Sequence, residues 1–381
     1  MDLEFGAAEQ ELRAEVRAWL REHVPAEPLP SLETEEGFAA HRDWERALGE
    51  ARLSVVSWPE QYGGRGASPL QWLVFEEEYY AAEAPGRVSQ NGINLLAPTL
   101  LEHGTPEQLE RILPPMAAGE VIWAQAWSEP GAGSDLAALR ATATRTDGGW
   151  LLNGQKTWSS RAAFADRGFG LFRSDPASER HKGLTYLMFP LNADGVTVRP
   201  IGRLDGKPAF AELFLDDVFV PDIDVIGEAG QGWRVAMATA GNERGLTLRS
   251  PGRFTAATER LVDLWRERAA LSNTESSDTA LRDRVADAWI KSRAYRLKGF
   301  ETISRTDDIG AEASLNKVFW SELDVSLHET ALDLLGPDGE LDSSWLEGYV
   351  FSLAGPIYAG TNEIQLNVIA ERLLGLPRGS R

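Results

Sequence analysis

Residues Trp127-Ser-Glu-Pro-Gly-Ala-Gly-Ser-Asp135 stand where the sequence pattern changes from helical spacing to alternating residues. The glycines at 131 and 133 have no Cβ, so the backbone here can approach a flat or anionic ligand closely. Ser128 and Ser134 add hydroxyl groups that both donate and accept hydrogen bonds. A Pro-Gly stretch is also typical of a surface loop that joins two elements. The nine residues alone leave both a binding loop and a plain connection open.

The composition excludes several classes of function. The chain has 381 residues, enough for two or three domains, and 43% of them are hydrophobic. The 58 acidic residues outnumber the 38 basic ones, which argues against a nucleic-acid surface because phosphate binding requires clustered cations. The lack of cysteine excludes disulfides, thiolate catalysis and cysteine-ligated metals. The five histidines form no His-x-x-x-His pair, so no metal site is expected.

The N-terminal residues and the hydropathy pattern predict a location. The N-terminus is acidic and lacks a basic-then-apolar leader, so no signal peptide is expected. No uncharged apolar run approaches the ~18 residues that a membrane span needs. We therefore expect a soluble, cytoplasmic protein.

Helical periodicity dominates the first third of the chain. Leu12, Val16 and Leu20 repeat at helical spacing among charged residues, which predicts an amphipathic helix over 7–23. Pro69 fits the first turn of a later helix, where its missing N–H has no cost. Three further helices are predicted, over 38–48 (ended by Gly49), 93–101 and 106–116.

Alternating residues and turn dipeptides replace this periodicity after Val121. Thr142, Thr144 and Thr146 alternate with smaller or charged residues, which is typical of a half-buried strand. Further strands are predicted over 183–190, 196–200, 211–215 and 218–221. Chain reversals are predicted at Asp147-Gly148, Asn153-Gly154 and Asp194-Gly195. We expect antiparallel β structure, arranged as a small barrel or sandwich.

Helical spacing returns at Gly232. Pro251-Gly252 is predicted to interrupt the first helix, and residues 272–278 are predicted to form a polar loop. Other helices are predicted over 261–271, 281–302, 313–335 and 362–374.

These patterns predict an α+β multi-domain protein. An N-terminal all-α domain is expected over 1–121, and a middle antiparallel β domain over 122–231. A C-terminal four-helix-type α domain is expected over 232–381.

Six motifs follow one another along the chain: Trp58-Pro-Glu-Gln-Tyr-Gly-Gly64, His103-Gly-Thr-Pro-Glu-Gln108, Trp127-Ser-Glu-Pro-Gly-Ala-Gly-Ser-Asp135, Asn153-Gly-Gln-Lys-Thr-Trp-Ser-Ser160, Ala359-Gly-Thr-Asn-Glu-Ile-Gln365 and Ala370-Glu-Arg-Leu-Leu-Gly-Leu-Pro-Arg378. In this order and spacing they resemble the acyl-CoA dehydrogenase family, flavoenzymes that desaturate acyl-CoA thioesters. The resemblance extends over nearly the whole chain. It implies two helical domains around a middle β domain, with FAD bound between the β domain and the C-terminal helices.

The resemblance also implies which residues contact the cofactor. The positions that match the family's flavin-binding residues are Trp127, Ser128, Gly133, Ser134, Trp158, Ser160, Gly360 and Thr361. Hydroxyls and main-chain N–H groups at such positions bind the polar edge of the flavin and tune it, and an aromatic side chain covers the ring. Ser134 also matches a position near the acyl-CoA. The chain's thirteen tryptophans leave ordinary packing open as an alternative role for Trp127 and Trp158.

The family reaction removes a proton from Cα of the acyl group and a hydride from Cβ. Many members place the catalytic glutamate just before the C-terminal Gly-Thr, but Ala359 stands there in this chain and cannot accept a proton. A second group places the base before an arginine on the first long C-terminal helix, where this chain has Glu243 and Arg244. We therefore predict that Glu243 is the base and that Arg244 orients it or meets the CoA. A solvated helix face is the alternative role of the pair. Ala359 can still donate its main-chain N–H to the thioester carbonyl.

The sequence departs from the family where a second subunit normally contacts FAD. The expected Arg-x-x-Phe-Gly segment is missing, and only Arg268 can stand in for its arginine. The later Gln-x-x-Gly-Gly segment retains Gly336 but has lost its glutamine. We infer that the chain could pair with a different subunit, as some actinobacterial relatives do.

The resemblance further implies partners. The predicted substrate is an acyl-CoA or an acyl-carrier protein, as in lipid metabolism, and the predicted electron acceptor is an electron-transferring flavoprotein. A homo- or hetero-oligomer, dimer or tetramer, is expected. Two alternatives remain open: a flavin monooxygenase on the same fold, and a partner subunit with little activity alone.

Overall fold

The computed structural model describes residues 5–244, 250–271, 279–304 and 310–378. Helices precede a middle β-sheet and further helices follow it, which confirms the predicted fold class. Within these ranges, no helix is both long enough and apolar enough to span a membrane.

The N-terminal part contains five α-helices. Their bounds are α1 Ala7–His23, α2 Glu35–Glu50, α3 Pro69–Ala81, α4 Ala97–His103 and α5 Pro106–Ala117, with a π-helical turn over Gly92–Leu96 before α4. Pro69 lies in the first turn of α3 as predicted, and a capping box between Ser68 and Gln71 begins the helix. The prediction that Gly49 ends α2 is wrong, because the helix continues through it to Glu50.

Eight strands form one hydrogen-bonded sheet. They are β1 Trp123–Ala126, β2 Thr142–Thr146, β3 Gly149–Ser160, β4 Arg167–Arg173, β5 Leu184–Pro190, β6 Val196–Ile201, β7 Phe210–Pro221 and β8 Val225–Ile226. The order is β6-β7-β3-β2-β4-β5-β8, and β1 pairs with β4. Most neighbours are antiparallel as predicted, but β4 runs parallel to β1 and pairs in parallel with Thr142, the first residue of β2. The predicted antiparallel β structure is correct for most of the sheet, and the parallel neighbours of β4 are the exception.

The Asn153-Gly154 dipeptide does not reverse the chain, which corrects the second of the three predicted turns. Both residues lie inside β3, where the pairing with β7 shifts register. The Asn153 amide donates to the Asp217 carboxylate at 2.8 Å, and Gly154 has φ +138°. A Cβ on Gly154 would lie 2.6 Å from the Ala141 Cβ, so close packing and a left-handed backbone explain the glycine.

We predict that Gly154→Ala destabilises the sheet by about 2 kcal/mol, because it adds backbone strain and a clash with Ala141. Urea unfolding measures the change. Gly131→Ala is the matched control, since a Cβ there meets no atom within 4 Å and its φ is not positive. Equal losses in both variants would contradict the role of packing at residue 154.

Among the residues that the structure describes, six α-helices follow the sheet. They are α6 Gly232–Arg244, α7 Pro251–Leu271, α8 Thr279–Ile303, α9 Ala313–Leu335, α10 Ser344–Ser352 and α11 Asn362–Val368, which a π-helical turn extends over Ile369–Leu373. Pro251 begins α7, so the predicted interruption is correct. Helix α10 was not predicted. The predicted loop over 272–278 lies outside the described residues.

Contacts between Cα atoms divide the chain into two units. The helical unit comprises residues 1–25, 68–84 and 244–381, and the sheet unit comprises residues 26–67 and 85–243. The core of the helical unit includes Phe254, Tyr295 and Trp320. The bounds predicted for the three domains (1–121, 122–231 and 232–381) remain predictions.

Candidate flavin and substrate site

The loop after β1 contains a hydrogen-bonded turn with open space beside its glycines. Glu129 and Ala132 exchange two main-chain hydrogen bonds of 3.0 Å, which close the turn around Gly131. A Cβ on Gly131 or Gly133 would meet no atom within 4 Å, and Gly133 and Ser134 are exposed. The glycines therefore leave open space beside the backbone.

Trp127 and Ser128 begin this loop with different surroundings. The Trp127 indole N–H donates to the Tyr186 hydroxyl at 2.9 Å, and the ring packs edge-on against Tyr186. The Ser128 carbonyl accepts the Thr157 N–H at 2.8 Å. Trp127 therefore packs against Tyr186, whereas Ser128 is hydrogen-bonded to β3 through its main chain.

Trp158 lies on a bulge of β3. Lys156 pairs with Leu213 on β7 and Ser159 with Ala211, so two residues of β3 face one of β7. Trp158 has φ +59°, and its side chain is 60% exposed despite an edge-on contact with Phe210. A bulky aromatic residue in left-handed backbone is strained, and such strain concentrates at functional sites.

These groups fit a flavin. The exposed indole of Trp158 offers a flat apolar surface, and the open glycines of the loop permit close approach of a ligand. The Ser128 and Ser160 hydroxyls are half-buried and take no hydrogen-bond partner among the residues that the structure describes. Half-buried hydroxyls without protein partners can bond the polar edge of a ligand.

A second set of predicted residues forms a turn before α11. Ala359 and Gly360 both have left-handed backbone, with φ +57° and +77°. The Thr361 hydroxyl caps α11 by accepting the Ile364 N–H at 3.3 Å. The side chain of Gln365, fully buried, donates to the Ala359 carbonyl at 2.8 Å. No group in the described part of the chain accepts the Ala359 N–H, which leaves a main-chain donor free.

Buried polar groups beneath this turn were not predicted from the sequence. The Ser314 hydroxyl donates to the other end of the Gln365 amide at 2.7 Å. Lys317, fully buried on α9, donates to the Asn362 side chain at 2.8 Å, and Ser321 donates to the same oxygen. Helical spacing from Ser314 through Lys317 to Ser321 places these polar residues on one face, a signal that the sequence contained.

Arg268 and Gly336 are brought into one region of the helical unit. Gly336 ends α9 with φ +59°, and Arg268 on α7 forms an ion pair of 2.8 Å with Asp338, two residues beyond Gly336. Asp338 thus neutralises the arginine that was predicted to stand in for a cofactor contact.

Glu243 and Arg244 are the last two residues of α6. Their side chains lie outside the described part of the structure. Among the described residues, no cluster of His, Cys, Asp and Glu could hold a metal ion.

Three family models match the chain consecutively. The acyl-CoA dehydrogenase N-terminal domain matches residues 6–120, the middle domain 124–218 and the C-terminal domain 230–374. The acyl-CoA dehydrogenase IpdE1 of Mycobacterium tuberculosis is 40% identical over 98% of this chain and 99% of its own length.

Solved structures extend the likeness. The ChsE4-ChsE5 complex from Mycobacterium tuberculosis contains a chain with a TM-score of 0.86 and 29% identity, with 100% of both chains covered. The Tcur3481-Tcur3483 steroid ACAD contains one with a TM-score of 0.85 and 28% identity, again with 100% of both covered.

Together these likenesses define a flavoprotein oxidoreductase whose cofactor is FAD. The chain belongs to the acyl-CoA dehydrogenase family, and its predicted activity as an acyl-CoA dehydrogenase is confirmed.

Proposed function

We propose that this enzyme desaturates a steroid-derived acyl-CoA at its α,β-bond. The two-subunit steroid enzyme that resembles it over its full length supports this substrate class. The free Ala359 N–H carries the chemical part of the proposal, because a fixed main-chain donor can polarise a thioester carbonyl.

Glu243 is the proposed base. A carboxylate removes the α-proton, and a carbonyl polarised by the Ala359 N–H stabilises the negative charge that develops. Ala359 itself has only a methyl group, so the turn before α11 supplies a donor and no base. Bound FAD supplies the acceptor for the β-hydride at N5. Arg244 orients the base or meets the CoA, and Ser134 contacts the acyl-CoA.

The proposed flavin bed of the sheet unit consists of Trp158, Ser128 and Ser160, together with Trp127, Gly133 and Ser134. In the helical unit, Gly360 and Thr361 are proposed flavin contacts.

The chain is proposed to assemble with a second subunit of a different sequence. Its proposed electron acceptor is an electron-transferring flavoprotein, and its proposed location is the cytoplasm. The ion pair of Arg268 with Asp338 supports the different subunit, since it engages the arginine that would otherwise replace the family's cofactor contact. Two solved relatives named as two-component assemblies are consistent with it.

The test is anaerobic reduction of the flavin by a steroid acyl-CoA and by palmitoyl-CoA. We expect the steroid thioester to reduce the flavin with a second-order rate constant roughly 100-fold higher, since specific substrate contacts discriminate by that order. Equal rates would contradict the substrate class. Fast reoxidation of the reduced flavin by oxygen would favour a monooxygenase instead.

The visible spectrum of the chain purified alone tests the partner. A colourless protein, or one with about half an FAD per chain, supports a different second subunit. A homogeneous homo-oligomer with full FAD occupancy would contradict it.

A further inference from the structure

Glu129 is a buried carboxylate in the loop that contains Ser128. Its side chain is 8% exposed, and it accepts hydrogen bonds from the Arg140 and Ala141 N–H groups at 2.6 and 2.9 Å. One carboxylate thus joins the beginning and the end of the loop between β1 and β2. A buried carboxylate is costly to retain without such donors and a cation.

Lys156 on β3 supplies the cation. Its side chain has no exposed surface, and its ammonium group donates to the Glu129 carboxylate at 2.8 Å and to the Leu171 carbonyl at 2.7 Å. A longer contact of 3.4 Å reaches the Trp127 carbonyl, so all three ammonium hydrogens have acceptors. The ammonium also lies 4.8 Å from the centre of the Phe172 ring.

The pair therefore lies between the two halves of the proposed flavin bed in the sheet unit. Lys156 immediately precedes the bulge that exposes Trp158, and its ammonium holds the residues on both sides of Ser128. The Thr157 N–H adds a direct bond to the Ser128 carbonyl. These contacts connect the loop around Ser128 to the part of β3 that precedes Trp158.

We propose that Lys156 and Glu129 are positioning residues that hold Ser128 and Trp158 at the spacing that the flavin requires. This inference rests on the proposed flavin bed. Neither side chain contacts the cofactor, because both are enclosed by the sheet unit. A buried ion pair is often no more stable than apolar residues of the same volume, so its value lies in fixing one geometry.

The test uses Lys156→Met, which keeps the length of the side chain and removes its charge and its donors. Arg180→Met is the control, because Arg180 forms an ion pair of 2.8 Å with Asp135 on the same loop, but an exposed one. Hydrogen exchange of the Thr157 N–H reports loop attachment without any flavin. The FAD dissociation constant is measured on the complete enzyme, with its second subunit if one is needed.

For Lys156→Met we expect exchange at Thr157 to accelerate roughly tenfold or more, while amides of β5 keep their protection. FAD should bind roughly tenfold more weakly or worse, since small misplacements of supporting groups are costly. Arg180→Met should change neither value. If Lys156→Met does not fold, the double variant Lys156→Met/Glu129→Gln removes the unpaired buried charge and takes its place.

Three outcomes would overturn the inference. Unchanged exchange at Thr157 would mean that the pair does not hold the loop. Faster exchange with unchanged FAD affinity would separate the loop from flavin binding, while the proposed function would survive. An enzyme that has an intact Lys156–Glu129 pair and keeps its FAD affinity after Trp158→Ala and Ser128→Ala would instead disprove the flavin bed itself.

Discussion

The Glu243→Gln enzyme should retain its FAD and lose acyl-CoA-dependent flavin reduction by about 10²–10⁴-fold. Glutamine has nearly the same shape as glutamate but cannot take the α-proton, so binding persists while the chemical step fails. Stopped-flow absorbance of the flavin band measures the rate under anaerobic conditions, and the bound FAD is quantified separately.

Glu228→Gln is the control for this substitution. Glu228 is exposed and lies just before α6, the helix that ends with Glu243 and Arg244. Its replacement should leave the rate unchanged. Undiminished flavin reduction in the Glu243→Gln enzyme would contradict the assignment of Glu243 as the base. Loss of FAD from this variant would indicate that Glu243 has a role in folding or in cofactor retention.

The second large effect concerns stability of the helical unit. Asp324 on α9 is 2% exposed, and its carboxylate forms an ion pair of 2.8 Å with Arg253 on α7. His328, one turn later, lies 3.3 Å from the other oxygen. Burial opposes ionisation of Asp324, but Arg253 and His328 more than offset it and hold the pKa of this carboxyl well below its usual range.

We predict that Asp324→Asn destabilises the helical unit by about 3–5 kcal/mol, because it leaves the Arg253 guanidinium without its charge partner. Urea unfolding followed by helical circular dichroism measures the loss. Asp333→Asn is the control on the same helix. Its ion pair with Arg284 is exposed, so the expected change is about 1 kcal/mol or less. Similar losses in both variants would contradict the importance of burial.

The same pair has a defined pH dependence. A carboxyl whose pKa is lowered in the folded state contributes its full stability above the unfolded pKa of about 3.9 and loses it as pH falls below that value. The difference between wild type and Asp324→Asn should therefore shrink as pH falls below 4. If the stability difference between the two proteins instead grew below pH 4, the pKa of Asp324 would have to be raised in the folded state, which would contradict the prediction.

Local periodicity predicted most elements of this fold, because most helices and strands expose one polar face. It failed where tertiary contacts override local preference. Asn153-Gly154 has the composition of a hairpin turn, yet packing against Ala141 and the bond to Asp217 keep it inside a strand. Helix α10 was missed because its nine residues include a glycine and mix polar with aromatic residues, which obscures the helical spacing.

The candidate site was predicted from motifs, whereas the groups that support it were not. Lys156 illustrates the reason. A lysine is expected at the surface, but alternation from Trp150 and Leu152 places residue 156 on the buried face of β3. The sequence shows neither that Glu129 is near enough to accept its charge nor that Asp338 neutralises Arg268, because both pairings depend on the tertiary fold.

The division into two units also orders events during synthesis. All residues of the sheet unit have been synthesised once the ribosome has passed Glu243. The helical unit begins with α1 but also includes residues 244–381, which are synthesised last. Glu77 on α3, for example, binds Arg13 nearby but also Arg296, 219 positions later in the chain. At bacterial and eukaryotic translation speeds this separation amounts to roughly 10–40 s. The amphipathic face of α1 therefore emerges early, and helices α7 and α8 reach the same unit only after the whole sheet has left the ribosome.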